Sequence, residues 1–249
     1  MSGHSKWSTI KHKKGAADAR RSKIFTKLIK EITVAARIGG ADINGNPRLR
    51  TAVSEARAAN MPSDNVDRAI KKGTGALEGQ SFEEIVYEAY GPGGVALLIE
   101  LTTDNRNRTV AEIRHMLERH GAKMATSGAV SRLFHKRGIL VLDNDKASEE
   151  RVMELGLELG ADDVRAGGGG FEVIVDPGAL EGMRTGFEKA GLVPSSAEVA
   201  AIAESSVRLE GPAAQSMLKL MAALEDHEDV QHVYANFDID DEIMERFSA

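Results

Sequence analysis

Residues 23–40 read Lys-Ile-Phe-Thr-Lys-Leu-Ile-Lys-Glu-Ile-Thr-Val-Ala-Ala-Arg-Ile-Gly-Gly. At about 100° per residue they separate into two faces. Lys23, Lys27, Lys30 and Arg37 fall within an arc of roughly 80°, and Phe25, Leu28, Ile29, Ile32 and Ala36 lie opposite. The pattern predicts a helix that packs by its apolar side and turns a basic stripe to solvent. Gly39-Gly40 is the stop, because a left-handed C-cap needs no Cβ.

On its N-terminal side the chain carries Lys6, Lys11, Lys13, Lys14, Arg20 and Arg21 with Trp7 and His12, among few apolar residues. Such a leader cannot bury much, so its cations and its Trp are available to a ligand. On the C-terminal side, Asn46-Pro47 pairs an N-cap with proline at the first helical position and opens a helix to about Ala59. Pro62-Ser63-Asp64 repeats the signal for a short helix over 65–72, ended by Gly73. Residues 1–76 therefore read as a basic helical domain with a flexible leader. Sixteen Lys and Arg face six Asp and Glu over residues 1–75, a net of +10, while residues 76–249 carry sixteen against thirty-two, a net of −16. That asymmetry points to a polyanionic partner for the head, of which a phosphate backbone is the usual one through counterion release.

Beyond residue 80 the period changes. Strands are expected at 83–90 and 95–102 around the turn Gly91-Pro92-Gly93-Gly94, then a helix at 109–120 and a strand at 129–134. Next come strand 139–142, helix 148–159, strand 163–165, a glycine turn at 167–170, strand 171–175, helix 178–190 and strand 198–203. That order is the ferredoxin-like β-α-β-β-α-β unit. A strand at 207–209, a helix at 212–225 and a strand at 230–237 follow, and the acidic stretch 238–245 reads as a solvated tail. Pieces on either side of the unit cannot close a sheet alone and are expected to pair around it. The fold class is α+β in three domains: 1–76, a discontinuous α/β domain of 77–135 and 205–249, and an inserted ferredoxin-like domain of 136–204.

The chain has 249 residues and no cysteine, which excludes disulfides, thiol nucleophiles and cysteine-based zinc sites. No apolar run approaches membrane-spanning length, so a cytoplasmic protein without membrane contact is expected. Catalytic constellations are absent. His115 and His120 stand five apart on one helix, and His4 and His12 sit among cations. Glu83-Glu84 and Asp162-Asp163 are not spaced for acid/base work, Ser127 and Ser131 lack a base, and neither glycine cluster has nucleotide-binding context. No enzyme, cofactor, metal or small-molecule substrate is expected. One loop outside the head suits an anion: at 102–109 Asp104 or Asn105 can cap a helix, with Arg106 and Arg108 near its positive end.

The run Gly3-His4-Ser5-Lys6-Trp7, the stretch 23–32, Asn46-Pro47-Arg48-Leu49-Arg50, Asn60-Met61-Pro62 and Ile70-Lys71-Lys72-Gly73-Thr74-Gly75 resemble the YebC family. So do Tyr90-Gly91-Pro92-Gly93-Gly94 and Thr103-Asp104-Asn105-Arg106-Asn107-Arg108-Thr109. The chain departs from the family pattern at residues 15–17 and at Arg132. The resemblance implies a helical head and two α/β domains, one inserted in the other. It also implies a regulator of gene expression: bacterial members are described as probable transcriptional regulators that bind DNA. Mitochondrial members resemble translational activators of cytochrome c oxidase, and bacterial relatives have been linked to the ribosome. Nucleic acid is the expected partner, either DNA or ribosomal or messenger RNA, with the ribosome as a further one. A flexible cationic leader favours RNA; the family's filing favours DNA. Contacts are expected from Lys6, Trp7, Lys11, His12, Lys13, Lys14, Arg20, Arg21, Lys23, Lys27, Lys30, Arg106 and Arg108.

Overall fold

A computed structural model describes residues 18–79, 81–144, 147–167 and 170–248. The head is three helices, α1 (Asp18–Gly39), α2 (Pro47–Ala58) and α3 (Ser63–Gly73). Burial of α1 rises toward its C-terminal half: Ile32, Ala35 and Ala36 form the head core with Leu49, Val53 and Val66. Phe25, Leu28 and Ile29 are only half-buried at its edge, so they carry less of the core than the wheel suggests. Gly40 has φ +83 and closes α1 in the expected left-handed cap, its N–H bonded to the Ala36 carbonyl. Asn46 joins two helix ends. Its Oδ1 accepts from Leu49 N at 3.1 Å, and its Nδ2 donates to the carbonyls of Ala35 and Gly40, both at 2.9 Å. Groups left over at the end of one helix and the start of the next are thus satisfied together. At the other crossing, a methyl group at Gly73 would run into the Thr33 carbonyl, so α3 can approach α1 closely only with glycine there.

The first sheet has the order β3-β1-β2-β9, from β1 (Glu83–Tyr90), β2 (Ala96–Thr103), β3 (Lys123–Met124) and β9 (Val230–Ala235). Leu97, Ile99 and Leu101 face the helices α4 (Arg106–Arg119) and α7 (Gly211–Asp226). Ala96 and Leu98 face the second sheet with Tyr234. Both faces being covered explains why β2 opens on a continuous apolar run, residues 96–99, rather than an alternation.

The second sheet, β5-β6-β4-β7, is antiparallel throughout. It comprises β4 (Phe134–Asp143), β5 (Asp163–Gly167), β6 (Gly170–Val175) and β7 (Ser196–Ala203). Helices α5 (Glu149–Glu158) and α6 (Leu180–Lys189) cover one face over Leu140, Leu142, Val173 and Val175. In chain order that is the 2-3-1-4 arrangement of a ferredoxin-like unit. The chain leaves the first sheet after β3, builds this unit, and returns through β8 (Val207–Arg208) and α7 to lay β9 against β2. The fold class is the expected α+β, a helical head followed by two α/β domains, the ferredoxin-like one inserted in the other.

Three local expectations are corrected. Residues 129–133 are not a strand but a turn with a short 3-10 stretch at Ser131–Leu133, and the strand begins only at Phe134. The Glu88 carboxylate takes the N–H groups of Gly128, Val130 and Ser131 at 2.7, 2.6 and 3.1 Å, which a strand would have needed for pairing. Burial alone would push the Glu88 carboxyl up, but these amides outweigh it and hold it below the usual carboxylate range. The strand expected at 230–237 breaks at Asn236, whose side chain accepts from Ala96 N and donates to the Ser205 carbonyl. Past the break, β10 (Phe237–Asp238) pairs with β8 in parallel. The acidic stretch 238–245 is not a solvated tail. Helix α8 (Asp241–Ser248) packs Met244 and Phe247 on the first core, and Ile239 is buried beside them. Among the described residues no helix is long and apolar enough to cross a membrane.

Candidate nucleic-acid interface

The lysines of the basic stripe on α1, Lys23, Lys27 and Lys30, are turned to the body, while Arg37 is exposed. The three lysines lie against the C-terminal end of α7 and the loop that follows it. Lys23 Nζ meets Asp226 Oδ2 at 2.5 Å. Lys27 Nζ donates to the Glu225 carbonyl at 2.7 Å, an acceptor of the last helical turn at the negative end of the helix dipole. Lys30 is only 7% exposed; its Nζ donates to the Asp229 carboxylate and to the Glu228 carbonyl, and sits 5.9 Å from the centre of the Phe82 ring. Arg37 reaches the Phe82 carbonyl. The expectation of a solvated stripe is therefore corrected for the three lysines, to which residues about two hundred positions away supply carboxylates and backbone carbonyls; Arg37 stays exposed.

Asp229 is the centre of this junction. Its carbonyl accepts from Thr102 N at 2.8 Å, which ties it to β2. Oδ2 receives the Thr109 hydroxyl at 2.6 Å and Arg108 Nη2 at 3.1 Å, while Oδ1 takes Lys30. Burial would raise its carboxyl, but Lys30 foremost, then Thr109 and Arg108, bring it down to about 2. Asp229 N donates to His227 Nδ1 at 3.1 Å; that leaves the imidazole proton on Nε2, which donates to Glu112 Oε2 at 2.9 Å. Glu112, His227 and Asp229 come close enough to suggest a metal triad, yet their facing atoms are already committed to these bonds and to two cations.

At the loop 102–109, internal carboxylates occupy Arg108. Asn105 caps α4 by accepting from Arg108 N at 3.1 Å. Arg108 is bonded to Asp104 at 2.8 Å and to Asp229, whereas Arg106 is exposed without a carboxylate partner among the described residues. A cleft of about 880 Å³ follows the junction, between Lys23, Lys30 and Lys72 of the head and Arg108, Glu112 and His115 of the body.

Of the remaining residues expected to touch nucleic acid, Lys6, Trp7, Lys11, His12, Lys13 and Lys14 lie outside the described residues, as does the side chain of Arg20. Arg21 is exposed on α1 and has a partner. What the sequence reading left out is the outer face of α2 and α3. Arg50, Arg57, Arg68 and Lys71 are exposed there, and none forms an ion pair with a described residue; Lys72 is exposed too but lines the junction cleft. Arg48, by contrast, is spent between Glu31 of α1 and Glu84 of β1, both at 2.6 Å. The signal for the distinction was spacing: Arg50 and Arg57 stand two turns apart on one face of α2, and Arg68 and Lys71 one turn apart on α3.

Residues 5–76 match the model of the TACO1/YebC protein N-terminal domain, and residues 82–237 that of the TACO1/YebC second and third domain. The chain is 59% identical to a probable transcriptional regulatory protein of Geobacter sulfurreducens over 99% of both chains. It is 55% identical to one of Desulforapulum autotrophicum over 98% of this chain and 99% of that one. The crystal structure of a conserved hypothetical protein from Aquifex aeolicus superposes with a TM-score of 0.81 at 46% identity, covering 90% of this chain and 92% of that one. With both models matched in order and full-length relatives above half identity, the chain belongs to the TACO1/YebC family.

Proposed function

We propose that the protein is a non-enzymatic, cytoplasmic regulator of gene expression that binds nucleic acid through the outer face of its head. The observation that carries this is the set of exposed cations Arg50, Arg57, Arg68 and Lys71, without an ion-pair partner among the described residues, on a domain of net charge +10. Lys6, Lys11, Lys13, Lys14, Arg20 and Arg21 add to it, with Trp7 and His12 as a stacking element. Arg106 extends the surface from the body. The relatives' names as transcriptional regulatory proteins support a DNA ligand. So does the connection between α2 and α3, whose four residues Ala59 to Pro62 have the length of a helix-turn-helix turn. Positive φ at Asn60 reverses the chain there.

Domain limits at 1–76, 77–135 with 205–249, and 136–204 belong to the same proposal, and limited proteolysis that cuts first before Arg21 and next at 73–79 supports them. The functional test is fluorescence anisotropy of the full chain with mixed-sequence duplex DNA and single-stranded RNA across a salt series. Tight, steeply salt-dependent binding to duplex DNA supports the regulator of transcription. Preference for RNA moves the site to a translational role, and no binding to either refutes the proposal.

A further inference from the structure

We infer that the head–body junction is an autoinhibitory latch, in which Asp226 and Asp229 hold the places that nucleic-acid phosphates take once the head swings away. The inference rests on the nucleic-acid reading of the head. Lys23, Lys27 and Lys30 recur at helical spacing on one side of α1, spanning about 10 Å at 1.5 Å per residue. That matches roughly three nucleotide steps at 3.4 Å per strand. In the closed chain each of the three meets an anion or a helix-end carbonyl of the body: Asp226, the Glu225 carbonyl, and Asp229 with the Glu228 carbonyl. Arg108 turns its guanidinium toward the same Asp229. A phosphate backbone offers the same chemistry at higher charge density.

Two further observations make the junction separable. The hydrophobic core of the head contains only residues of the head, so ion pairs and hydrogen bonds rather than shared apolar burial hold it to the body. The connection from Thr74 to Phe82 has no helix or strand among its described residues and includes Gly75 with φ +78, so it can absorb a hinge rotation. Nucleic acid first meets the outer cations of α2 and α3, then displaces the two carboxylates and gains the α1 stripe. The closed form lowers apparent affinity by the fraction of molecules that are open.

The chain has no cysteine, so an introduced pair is unique. Lys23→Cys with Asp226→Cys, joined by a short bismaleimide, holds the junction shut, and the same variant without the linker is its control. Binding of duplex DNA and of single-stranded RNA is measured for both forms at one salt concentration. The latch predicts that cross-linking weakens binding by roughly tenfold or more. Equal affinity before and after cross-linking overturns the latch while leaving the nucleic-acid reading intact; absence of binding by both forms overturns that reading and the latch with it. A second measurement avoids altering the junction: spin labels on the exposed positions Thr51→Cys and Glu118→Cys report the head–body distance by pulsed EPR. Longer distances on adding the oligonucleotide that binds support the latch, and an unchanged distribution in the bound state refutes it.

Discussion

Lys23, Lys27, Lys30 and Arg37 of α1 and Arg50, Arg57, Arg68 and Lys71 of α2 and α3 belong to one small domain. The three lysines of the first set are turned to the acidic body, Arg37 is exposed beside the Phe82 carbonyl, and the second set is exposed without an ion-pair partner among the described residues. Composition and helical spacing are alike in both. What separates the three lysines from the outer cations is that an acid or the C-terminal end of a helix from the body comes within hydrogen-bond reach. Charge asymmetry between a basic head and an acidic body therefore describes two partnerships at once, one inside the molecule and one outside it.

If the inner partnership is real, its largest effect should appear at Asp229. Asp229→Ala leaves Lys30 buried without its counterion, and loss of one partner of a buried pair costs about 3–5 kcal/mol. Thermal denaturation should show an early transition; an unchanged melting curve would mean that the junction is not held there. Packing inside the head sets the next scale. Leu49 is fully buried, so Leu49→Ala should destabilise the head by roughly 2–5 kcal/mol. The half-buried Leu28 should cost less on the same substitution, and equal losses would mean that α1 buries both ends alike.

Acid probes the inner face without mutation. The Asp229 carboxyl stands at about 2 against the usual 3.8, facing Lys30, Arg108 and Thr109 with Asp104 and His227 nearby. A depressed carboxylate stabilises the fold fully above its unfolded value, so the contribution is complete above pH of about 4 and is lost as pH falls toward about 2. At 1.36 kcal/mol per unit the loss is on the order of 2 kcal/mol. In Asp229→Asn that part of the acid dependence should vanish; if the profile is unchanged, other carboxylates carry it. The smallest effect is expected outside. Arg57→Glu and Lys71→Glu should each change stability by no more than about 0.5 kcal/mol, and a larger loss would show that these cations have structural partners after all.

Most of the fold was legible because its signals are local. Asn46-Pro47 capped α2 as read, Gly40 closed α1, and the alternation of short apolar runs with helical segments gave the ferredoxin-like order. Legibility failed where a distant group intervened. Glu88 captures the amides of the turn at 128–131, and nothing within residues 129–134 announces it. In α8 the acids mask the spacing of Ile243, Met244 and Phe247, which is that of one helical face, with the buried Ile239 just before it. The candidate site divides in the same way. Exposed cations of α2 and α3 were visible as a basic region, but the fate of the α1 stripe depended on Asp226 and Asp229. Arg108 proves to be held by Asp104 of its own loop and by Asp229 from across the fold, whereas Arg106 has no carboxylate partner among the described residues.

If the outer face of the head binds nucleic acid while the inner stripe holds the closed chain together, charge reversal on the two faces must have different consequences. Salt-dependent binding and melting temperature, measured in parallel on Arg57→Glu/Lys71→Glu and on Lys27→Glu/Lys30→Glu, decide the matter. The outer pair should weaken binding and flatten the log–log salt slope by about 0.7–0.9 for each phosphate no longer neutralised, with the melting temperature unchanged. The inner pair should lower the melting temperature. If the outer pair instead melts early and binds as tightly as the parent with the same slope, the two faces are assigned the wrong way round.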